Sequence, residues 1–179
     1  MSASAEPPLS PPIRAAVLTV SDRCSRGERE DRSGPALVAI VHERLGGGVV
    51  ATRCVPDDAD VIAAALAEWS RADLSAPDAR PIDLILSTGG TGLAPRDVTP
   101  EAAKRVIERE HAGLMELARL RCYAKTPKTY LSRGVAGVAG RTLILTLPGS
   151  PRGATENLEA LLDILPHAIE TLRGDVKDG

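Results

Sequence analysis

Short apolar runs alternate along the chain with longer segments in which apolar residues recur every three or four positions. The short runs are typical of buried strands, and the longer segments are typical of amphipathic helices. Because apolar strands that alternate with helices form mostly parallel sheets covered on both faces, the pattern predicts an α/β fold. The predicted strands span residues 15–20, 49–55, 82–87 and 141–147, and the predicted helices span residues 33–45, 60–71, 100–110, 114–123 and 155–173.

The chain has 179 residues, a length that fits one domain able to bury a core without disulfides or metals. We expect that domain over residues 13–175, a disordered tail over residues 1–12 and a short tail over residues 176–179. Residues 1–12 have neither the basic start nor the apolar run of a secretion signal, and no apolar stretch approaches the length of a membrane span. We therefore expect a cytoplasmic protein that does not bind membranes.

The formal net charge is −2, and charged residues of both signs make up 26% of the chain. This balance lacks the basic footprint of a protein that binds nucleic acids. The cysteines at positions 24, 54 and 122 have no C-x-x-C spacing, and the three histidines are equally dispersed. The composition therefore favours free thiols over a zinc site or a disulfide framework.

Each predicted strand is followed at once by a polar motif whose residues suit contact with a ligand. In open α/β sheets ligands bind at the carboxyl ends of the strands, so we expect these motifs to form one pocket. For the last motif, a structural turn that begins a helix is the alternative. The motifs are Ser21-Asp22-Arg23, Pro56-Asp57-Asp58, the glycine-rich segment 88–97 and Pro148-Gly149-Ser150-Pro151.

The motif after the third strand has the composition of a phosphate cradle. Gly89, Gly90 and Gly92 permit positive φ and close backbone approach, so that successive N–H groups converge on an anion. Thr88 and Thr91 add hydroxyl groups. The chain has neither a Walker motif nor the spaced glycines of a dinucleotide-binding unit, which argues against ordinary NTPases and dehydrogenases.

Two aspartates in these motifs are candidate magnesium ligands. Asp97 follows the glycine-rich segment, where a carboxylate beside a phosphate needs an intervening cation, and Arg96 supplies part of that positive charge. The alternative for Asp97 is a cap on the helix that begins near residue 99. Asp57 has the same two alternatives, but Asp58 competes with it for the cap of the next helix. One of these two acids is thus spare for Mg²⁺.

Further candidates for ligand contact lie in the first motif and near residue 132. Ser21 and Asp22 suit contact with a ligand or with the backbone of their own loop. Ser132 is a candidate hydrogen-bond donor and Arg133 a candidate phosphate clamp, with an exposed surface position as the alternative for both. The charged segment 22–33 is a candidate mobile lid. The aromatic candidate Trp69 repeats at helical spacing with apolar residues and is predicted to lie in the core.

Six motifs in this order resemble the molybdopterin-binding MogA/MoaB family over about residues 13–175. The central motif also occurs in molybdate-insertion proteins and in CinA-type proteins, but its combination with the other five is specific. A single domain without the additional domains of those proteins is similar to the stand-alone adenylyltransferases of the family and to the G domain of gephyrin. The motifs are Val20-Ser-Asp22, Asp31-Arg-Ser-Gly-Pro35, Val55-Pro-Asp57, the run from Ser87 to Glu101, Leu131-Ser-Arg133 and Leu147-Pro-Gly-Ser-Pro151.

The resemblance implies a three-layer α/β/α sandwich with a mostly parallel sheet that assembles as a homotrimer. It also implies transfer of AMP from Mg-ATP to the terminal phosphate of molybdopterin, with release of pyrophosphate, ahead of a metal-insertion partner. The alternatives are a non-catalytic, MoaB-like carrier of molybdopterin and a CinA-like nucleotide-processing enzyme. Retention of both Asp57 and Asp97 favours the adenylyltransferase.

The same resemblance assigns roles to the candidate residues. It implies that Asp57 and Asp97 are the catalytic carboxylates and that residues 89–92 are the main ligand cradle. It implies a contact with the pterin side of the substrate for Ser132. Further substrate contacts are expected from the residues of the neighbouring motifs, namely Ser21, Asp22, Thr88, Arg133, Pro148, Gly149 and Ser150.

Overall fold

The computed structural model describes residues 9, 11–71 and 80–174. Most of the predicted amino-terminal tail, the stretch 72–79 and the predicted carboxyl-terminal tail lie outside the described residues. The strands are β1 Arg14–Val20, β2 Gly48–Val55, β3 Leu84–Thr88, β4 Arg109–Glu110, β5 Ala136–Ala139 and β6 Thr142–Leu147. The helices are α1 Asp22–Ser25, α2 Ser33–Arg44, α3 Ala59–Ser70, α4 Thr99–Lys104, α5 Ala112–Cys122, α6 Pro151–Glu159 and α7 Leu165–Arg173, with a 3-10 helix at Pro127–Leu131.

The strands form one sheet in the order β2-β1-β3-β6-β5-β4. The first four strands of that order are parallel, whereas β5 and β4 are antiparallel to their neighbours. The chain moves from β1 to β2 on one side and later to β3 on the other, which opens a crevice at the carboxyl ends of β1 and β3. The mostly parallel α/β sheet predicted from the sequence is confirmed.

Helices cover both faces of the sheet. Side chains from α2, α5, α6 and α7 form one apolar cluster with one face, and side chains from α3 and α4 form a second cluster with the other. Trp69 of α3 is buried in the second cluster, as predicted. The three layers are therefore those of an α/β/α sandwich. Among the residues that the structure describes, no helix has both the length and the apolar character needed to span a membrane.

The predicted helix over residues 100–110 is wrong in its second half. Helix α4 ends at Lys104, and the chain then pairs with β5 through a hydrogen bond of 2.9 Å from the backbone N–H of Glu108 to the carbonyl of Val138. Strand β5 itself was not predicted, because its sequence Ala-Gly-Val-Ala has weak strand preference. Gly137 in β5 lets Ile107 and the backbone of Arg109 approach where any Cβ would overlap them.

The single helix predicted over residues 155–173 is two helices. Helix α6 begins earlier, at Pro151, where the side chain of Ser150 accepts a hydrogen bond from the backbone N–H of Gly153. It ends at Glu159, and α7 begins only at Leu165. Pro166 explains the break, because proline lacks the N–H of a helix interior and is tolerated in a first turn.

A buried ion pair closes the amino-terminal end of the sheet. Asp83, which precedes β3, pairs with Arg173 of α7 at 2.8 Å, and the two side chains are only 5% and 8% exposed. Asp83 also accepts a hydrogen bond of 2.8 Å from the backbone N–H of Arg14 at the start of β1. This cluster ties two central strands to the last helix.

Candidate active site

The four polar motifs that follow the parallel strands meet at one edge of the sheet, as predicted. The backbone N–H of Ser21 donates to the carbonyl of Val55 at 2.9 Å, which joins the loops after β1 and β2. The backbone N–H of Gly89 donates to the carbonyl of Leu147 at 3.2 Å, which joins the loop after β3 to the end of β6. A Cβ on Gly149 would lie 3.0 Å from the Cα of Gly89. The loops therefore pack backbone against backbone.

The first two glycines of the cradle adopt backbone conformations that L side chains rarely adopt. Gly89 has φ of 106° and Gly90 has φ of 61°. A side chain at Gly89 would also overlap the carbonyl oxygen of Val20, and one at Gly90 would overlap the hydroxyl of Thr99. Glycine is therefore required here both by conformation and by space.

Two clefts share Gly90 and Gly149 in their walls. The wide cleft has a volume of about 400 Å³ and the narrow cleft has a volume of about 170 Å³. The predicted site residues in the wide cleft are Gly90, Thr91, Gly92, Asp97, Ser132, Pro148, Gly149 and Ser150. Those in the narrow cleft are Ser21, Asp57, Gly89, Gly90 and Gly149.

Asp57 is not the cap of α3. Asp58 takes that position and accepts hydrogen bonds from the backbone N–H groups of Asp60 and Val61. The Asp57 carboxylate instead accepts a hydrogen bond of 2.9 Å from the backbone N–H of Asp22. It lies against the glycine-rich segment, where its Oδ1 would be 3.1 Å from a Cβ on Gly90. The spare acid that the sequence predicts is therefore Asp57.

The surroundings of Asp57 disfavour its negative charge. Burial is the largest cause that raises the pKa of this carboxyl above its ordinary value. The carboxylates of Asp22 and Asp97 raise the pKa further, against the backbone N–H of Asp22 and the guanidinium of Arg96, which lower it. A carboxylate crowded by other carboxylates is a place where a bound cation is stabilised.

Asp97 does not cap a helix either. The cap of α4 is Val98, without a side-chain hydrogen bond. The Asp97 carboxylate folds back on its own loop, where Oδ2 accepts a hydrogen bond of 2.9 Å from the backbone N–H of Ala94. That oxygen would lie 2.8 Å from a Cβ on Gly92. Asp57 and Asp97 therefore lie beside Gly90 and Gly92, and each carboxylate lines one of the two clefts.

Arg133 fastens the loop that carries Asp97. Its Nε donates to the carbonyl of Gly92 at 2.8 Å, its Nη2 donates to the carbonyl of Asp97, and its Nη1 pairs with Glu101. The guanidinium is thus directed at loop carbonyls and a carboxylate, and this residue lines neither cleft. These contacts hold the loop of Asp97 in place, and the predicted phosphate clamp at Arg133 stays a prediction.

Asp22 positions Asp57. Its Oδ1 accepts a hydrogen bond of 3.1 Å from the backbone N–H of Asp57, which reciprocates the bond in the other direction. Its Oδ2 forms an ion pair of 2.6 Å with Arg96. The Asp22 carboxylate thus bonds to the backbone of the neighbouring loop and to Arg96, and not to the backbone of its own loop. Its predicted substrate contact stays a prediction.

Hydroxyl groups in the motifs mostly bond to neighbouring loops. Thr88 is buried and donates to the carbonyl of Pro148 at 2.7 Å, and it lines neither cleft. The side chain of Ser21 accepts a hydrogen bond from the backbone N–H of Cys24. Thr91 and Ser132 share a hydrogen bond of 3.1 Å at the wall of the wide cleft. Ser132 is therefore placed where a bound ligand can reach it.

The charged segment 22–33 is anchored at its far end. Asp31 accepts hydrogen bonds from the hydroxyl of Thr19 at 2.6 Å and from the backbone N–H of Gly34 at 3.0 Å. These bonds tie the start of α2 to β1. They explain why an aspartate begins the motif Asp31-Arg-Ser-Gly-Pro35. Two arginines of the segment, Arg29 and Arg32, line the narrow cleft. Closure of the segment as a lid stays a prediction.

Several polar residues of the wide cleft, from the 3-10 helix and from α6, were not predicted from the sequence. They include a cation, a carboxylate, an amide and a hydroxyl. Asn157 interrupts the apolar stripe of its helix and is buried, a pattern that could have marked it as functional. These polar residues are Lys128, Thr129, Glu156 and Asn157.

The carboxylates suit a magnesium ion that is shared with a substrate. Within the described part of the chain, no three side chains of His, Cys, Asp or Glu form a cluster that could hold a metal. Mg²⁺ is commonly held by one or two carboxylates together with phosphate oxygens and water. Asp57 and Asp97, beside a glycine-rich cradle, provide that smaller donor set.

Fold and site together define an α/β protein built to bind phosphorylated ligands between loops at the carboxyl edge of its sheet. The family model described as "Probable molybdopterin binding domain" matches residues 16–167. The chain belongs to this family, which confirms the resemblance seen in the sequence motifs.

Individual relatives agree with this family. The chain is 36% identical to a molybdopterin adenylyltransferase of Helicobacter pylori, over 91% of this chain and 89% of that protein. It is 40% identical to the molybdenum cofactor synthesis protein cinnamon of Drosophila melanogaster over 92% of this chain, but it spans only about a quarter (26%) of that protein. Among solved structures, the molybdopterin biosynthesis enzyme MoaB of Thermus thermophilus has a TM-score of 0.82 and 49% identity, over 90% of this chain and 97% of the other.

Proposed function

We propose that this protein is a molybdopterin adenylyltransferase, which transfers AMP from Mg-ATP to the terminal phosphate of molybdopterin and releases pyrophosphate. The observation that carries the proposal is the pair of clefts that meet at the glycine-rich cradle, with Asp57 in one cleft and Asp97 in the other. A transferase that joins two phosphorylated substrates needs two adjoining sites. The name of the Helicobacter pylori relative, which the chain matches over most of both lengths, supports the same activity.

The reaction needs positioning and charge neutralisation more than a protein nucleophile. An oxygen of the molybdopterin phosphate attacks the α-phosphorus of ATP, a new P–O–P bond forms, and the bond between the α-phosphorus and the bridging oxygen of the β-phosphate breaks. The electron pair of that bond leaves with pyrophosphate. Backbone N–H groups of the cradle are the donors that would hold the phosphates in line.

Asp57 and Asp97 are the residues that would hold Mg²⁺. Mg²⁺, when bound, would neutralise charge on the substrate phosphates. It would also offset the burial and the neighbouring carboxylates that raise the pKa of Asp57. Asp22 and Arg133 keep the two carboxylates in place through the hydrogen bonds described above. We assign the nucleotide to the narrow cleft and the pterin to the wide cleft. The narrow cleft has Arg29 and Arg32 for a triphosphate, beside the carboxylates of Glu30 and Asp31.

We also propose a cytoplasmic homotrimer that hands its product to a metal-insertion partner. Self-association is supported by large apolar side chains that are exposed in the single chain, among them Leu93, Leu120, Tyr123 and Leu131. Apolar surface of this kind favours protein contacts. Multi-angle light scattering measures the assembly directly, and a monomer at micromolar concentration would contradict the trimer.

The test of the activity is an anaerobic incubation of the protein with molybdopterin, ATP and Mg²⁺. Chromatography and mass spectrometry follow adenylylated pterin and pyrophosphate. We expect equal amounts of both products, and neither without Mg²⁺. Molybdopterin binding without product would contradict the transferase and would support a non-catalytic carrier.

A further inference from the structure

Two buried polar oxygens in the wide cleft have no hydrogen-bond partner among the described residues. They are Oδ1 of Asn157 and Oγ1 of Thr129. The residues are only 3% and 6% exposed, and both line the wide cleft. Buried polar groups in folded proteins are almost always paired. Arg14, Ser87 and Thr99 also have an unpaired buried polar atom, but only Asn157 and Thr129 line the wide cleft, where a ligand could supply the missing partner.

The amide of Asn157 has a defined orientation. Its Nδ2 donates to the carbonyl of Gly153, one turn earlier in α6, at 2.9 Å. That bond leaves Oδ1 as an unpaired hydrogen-bond acceptor on a residue of the cleft wall. The neighbouring Glu156 lines the same cleft with a side chain that is only 14% exposed, and its Oε1 pairs with Arg152 at 2.9 Å. This wall of α6 thus offers an amide oxygen and a carboxylate, both of which accept.

We propose that Asn157, Glu156 and Thr129 recognise the aminopyrimidinone edge of the pterin ring, an inference that rests on the function proposed above. That edge carries an amino group and an adjacent ring N–H as donors, next to a carbonyl acceptor. The two acceptors on α6 match the two donors, and the hydroxyl of Thr129 donates to the carbonyl. These residues determine substrate specificity and take no part in the bond changes.

Adenine fits this wall less well. Its base has an amino group but no ring N–H beside it, so one of the two acceptors would stay unpaired. An unpaired buried acceptor weakens binding, and sites built to bond a particular N–H reject ligands that lack it. The wide cleft is therefore selective for the pterin over the nucleotide.

The test compares Asn157→Leu, Thr129→Val and Glu156→Gln with the wild type. Glu159→Gln is the matched control, because Glu159 lies one turn further along α6 and does not line the cleft. The measurements are the KM values for molybdopterin and for ATP, and the Kd of molybdopterin by ultrafiltration and pterin fluorescence, which needs no turnover. We expect Asn157→Leu to raise KM and Kd for molybdopterin about tenfold to a hundredfold, with KM for ATP and the control unchanged.

Each result decides the inference. Wild-type Kd for molybdopterin in folded Asn157→Leu and Glu156→Gln would overturn it, as would a rise in the KM for ATP alone. If Asn157→Leu does not fold, Glu156→Gln still tests the inference, because glutamine retains the shape of the glutamate side chain. Failure of the proposed function alone is a separate result, since the wild type would then bind molybdopterin more tightly than the variants but form no adenylylated product. A wild type that does not bind molybdopterin would overturn both.

Discussion

Aspartates lie at both ends of the parallel sheet, in opposite electrostatic surroundings. At the amino-terminal end, the charge of Asp83 is balanced by Arg173, with hydrogen bonds of 3.0 and 2.8 Å from the guanidinium. At the carboxyl end, Asp57 accepts one backbone hydrogen bond and is crowded by Asp22 and Asp97. The first cluster is complete within the protein, whereas the second has an excess of negative charge.

The difference separates stability from binding. Removal of one member of a buried ion pair destabilises the fold, because the remaining charge loses the attraction that offsets its burial. Carboxylates with raised pKa values at a cleft instead mark functional candidates. The comparison thus predicts that substitutions at the two ends of the sheet affect different properties of the protein.

The largest expected effect is at the amino-terminal end. Asp83→Ala removes the buried carboxylate that pairs with Arg173 and accepts the backbone N–H of Arg14, and we expect the free energy of unfolding to fall by about 3–5 kcal/mol. Urea denaturation measures this change. Specific activity per folded molecule should be retained, because the cluster lies at the far end of the sheet. The matched control is Asp60→Ala, which breaks an ion pair whose aspartate is 89% exposed and should change stability by at most about 1 kcal/mol.

The next effect is on activity at the carboxyl end. Asp57→Asn and Asp97→Asn should each lower kcat/KM for adenylyl transfer by about 10²–10³-fold, because an oriented charge is lost. Neither should lower the melting temperature at neutral pH. Asp58→Asn is the control beside Asp57, since asparagine caps a helix as well as aspartate does. Wild-type turnover in either of the first two variants would contradict the assignment of these carboxylates.

A smaller loss of activity is expected from Gly92→Ala. Gly92 has no positive φ, but the new methyl group would lie 2.8 Å from Oδ2 of Asp97 and would push the carboxylate aside. We expect kcat/KM to fall about tenfold to a hundredfold through misplacement of the carboxylate, with little change in stability. Gly48→Ala is the control, since nothing lies within 4 Å of its Cβ position. Equal activity of the two variants would show that the position of Asp97 is not critical.

The smallest effect is on the pH dependence of stability. The raised pKa of Asp57 means that the folded protein binds its proton more readily than the unfolded chain does. This difference stabilises the folded protein. The stabilisation is fully present below the pKa of Asp57 in the unfolded chain, about 4, and is lost as the pH rises through the higher pKa of Asp57 in the folded protein. Melting temperatures over a pH series should therefore decline less across this window in Asp57→Asn than in the wild type. Parallel curves would contradict the raised pKa.

Prediction from the sequence succeeded where a signal is local. The four parallel strands and the α2, α3 and α5 helices followed from apolar periodicity, and the meeting of four loops followed from the rules of parallel sheets. It failed at β4, which consists of two charged residues, and at β5, whose sequence Ala-Gly-Val-Ala has weak strand preference. It also failed at the break between α6 and α7, where the effect of Pro166 outweighed a continuous apolar stripe.

The site was predicted in part for the same reason. Asp57 and Asp97 belong to short motifs with a recognisable chemistry. Asn157 and Thr129 come from separate elements, and neither belongs to such a motif. The position of Arg133 against the carbonyl of Gly92 could not be read from its residue type, which suits a phosphate equally well.

The sequence by itself determined the four parallel strands, the helices α2, α3 and α5, the glycine-rich cradle and the acids beside it, because periodicity and backbone freedom are properties of neighbouring residues. The tertiary structure alone decided which aspartate is paired and which is left with excess charge. It also decided that Asn157 and Thr129 share a cleft with Ser132. Burial, charge compensation and hydrogen bonding depend on distances between residues far apart in the chain, and only the folded protein sets those distances.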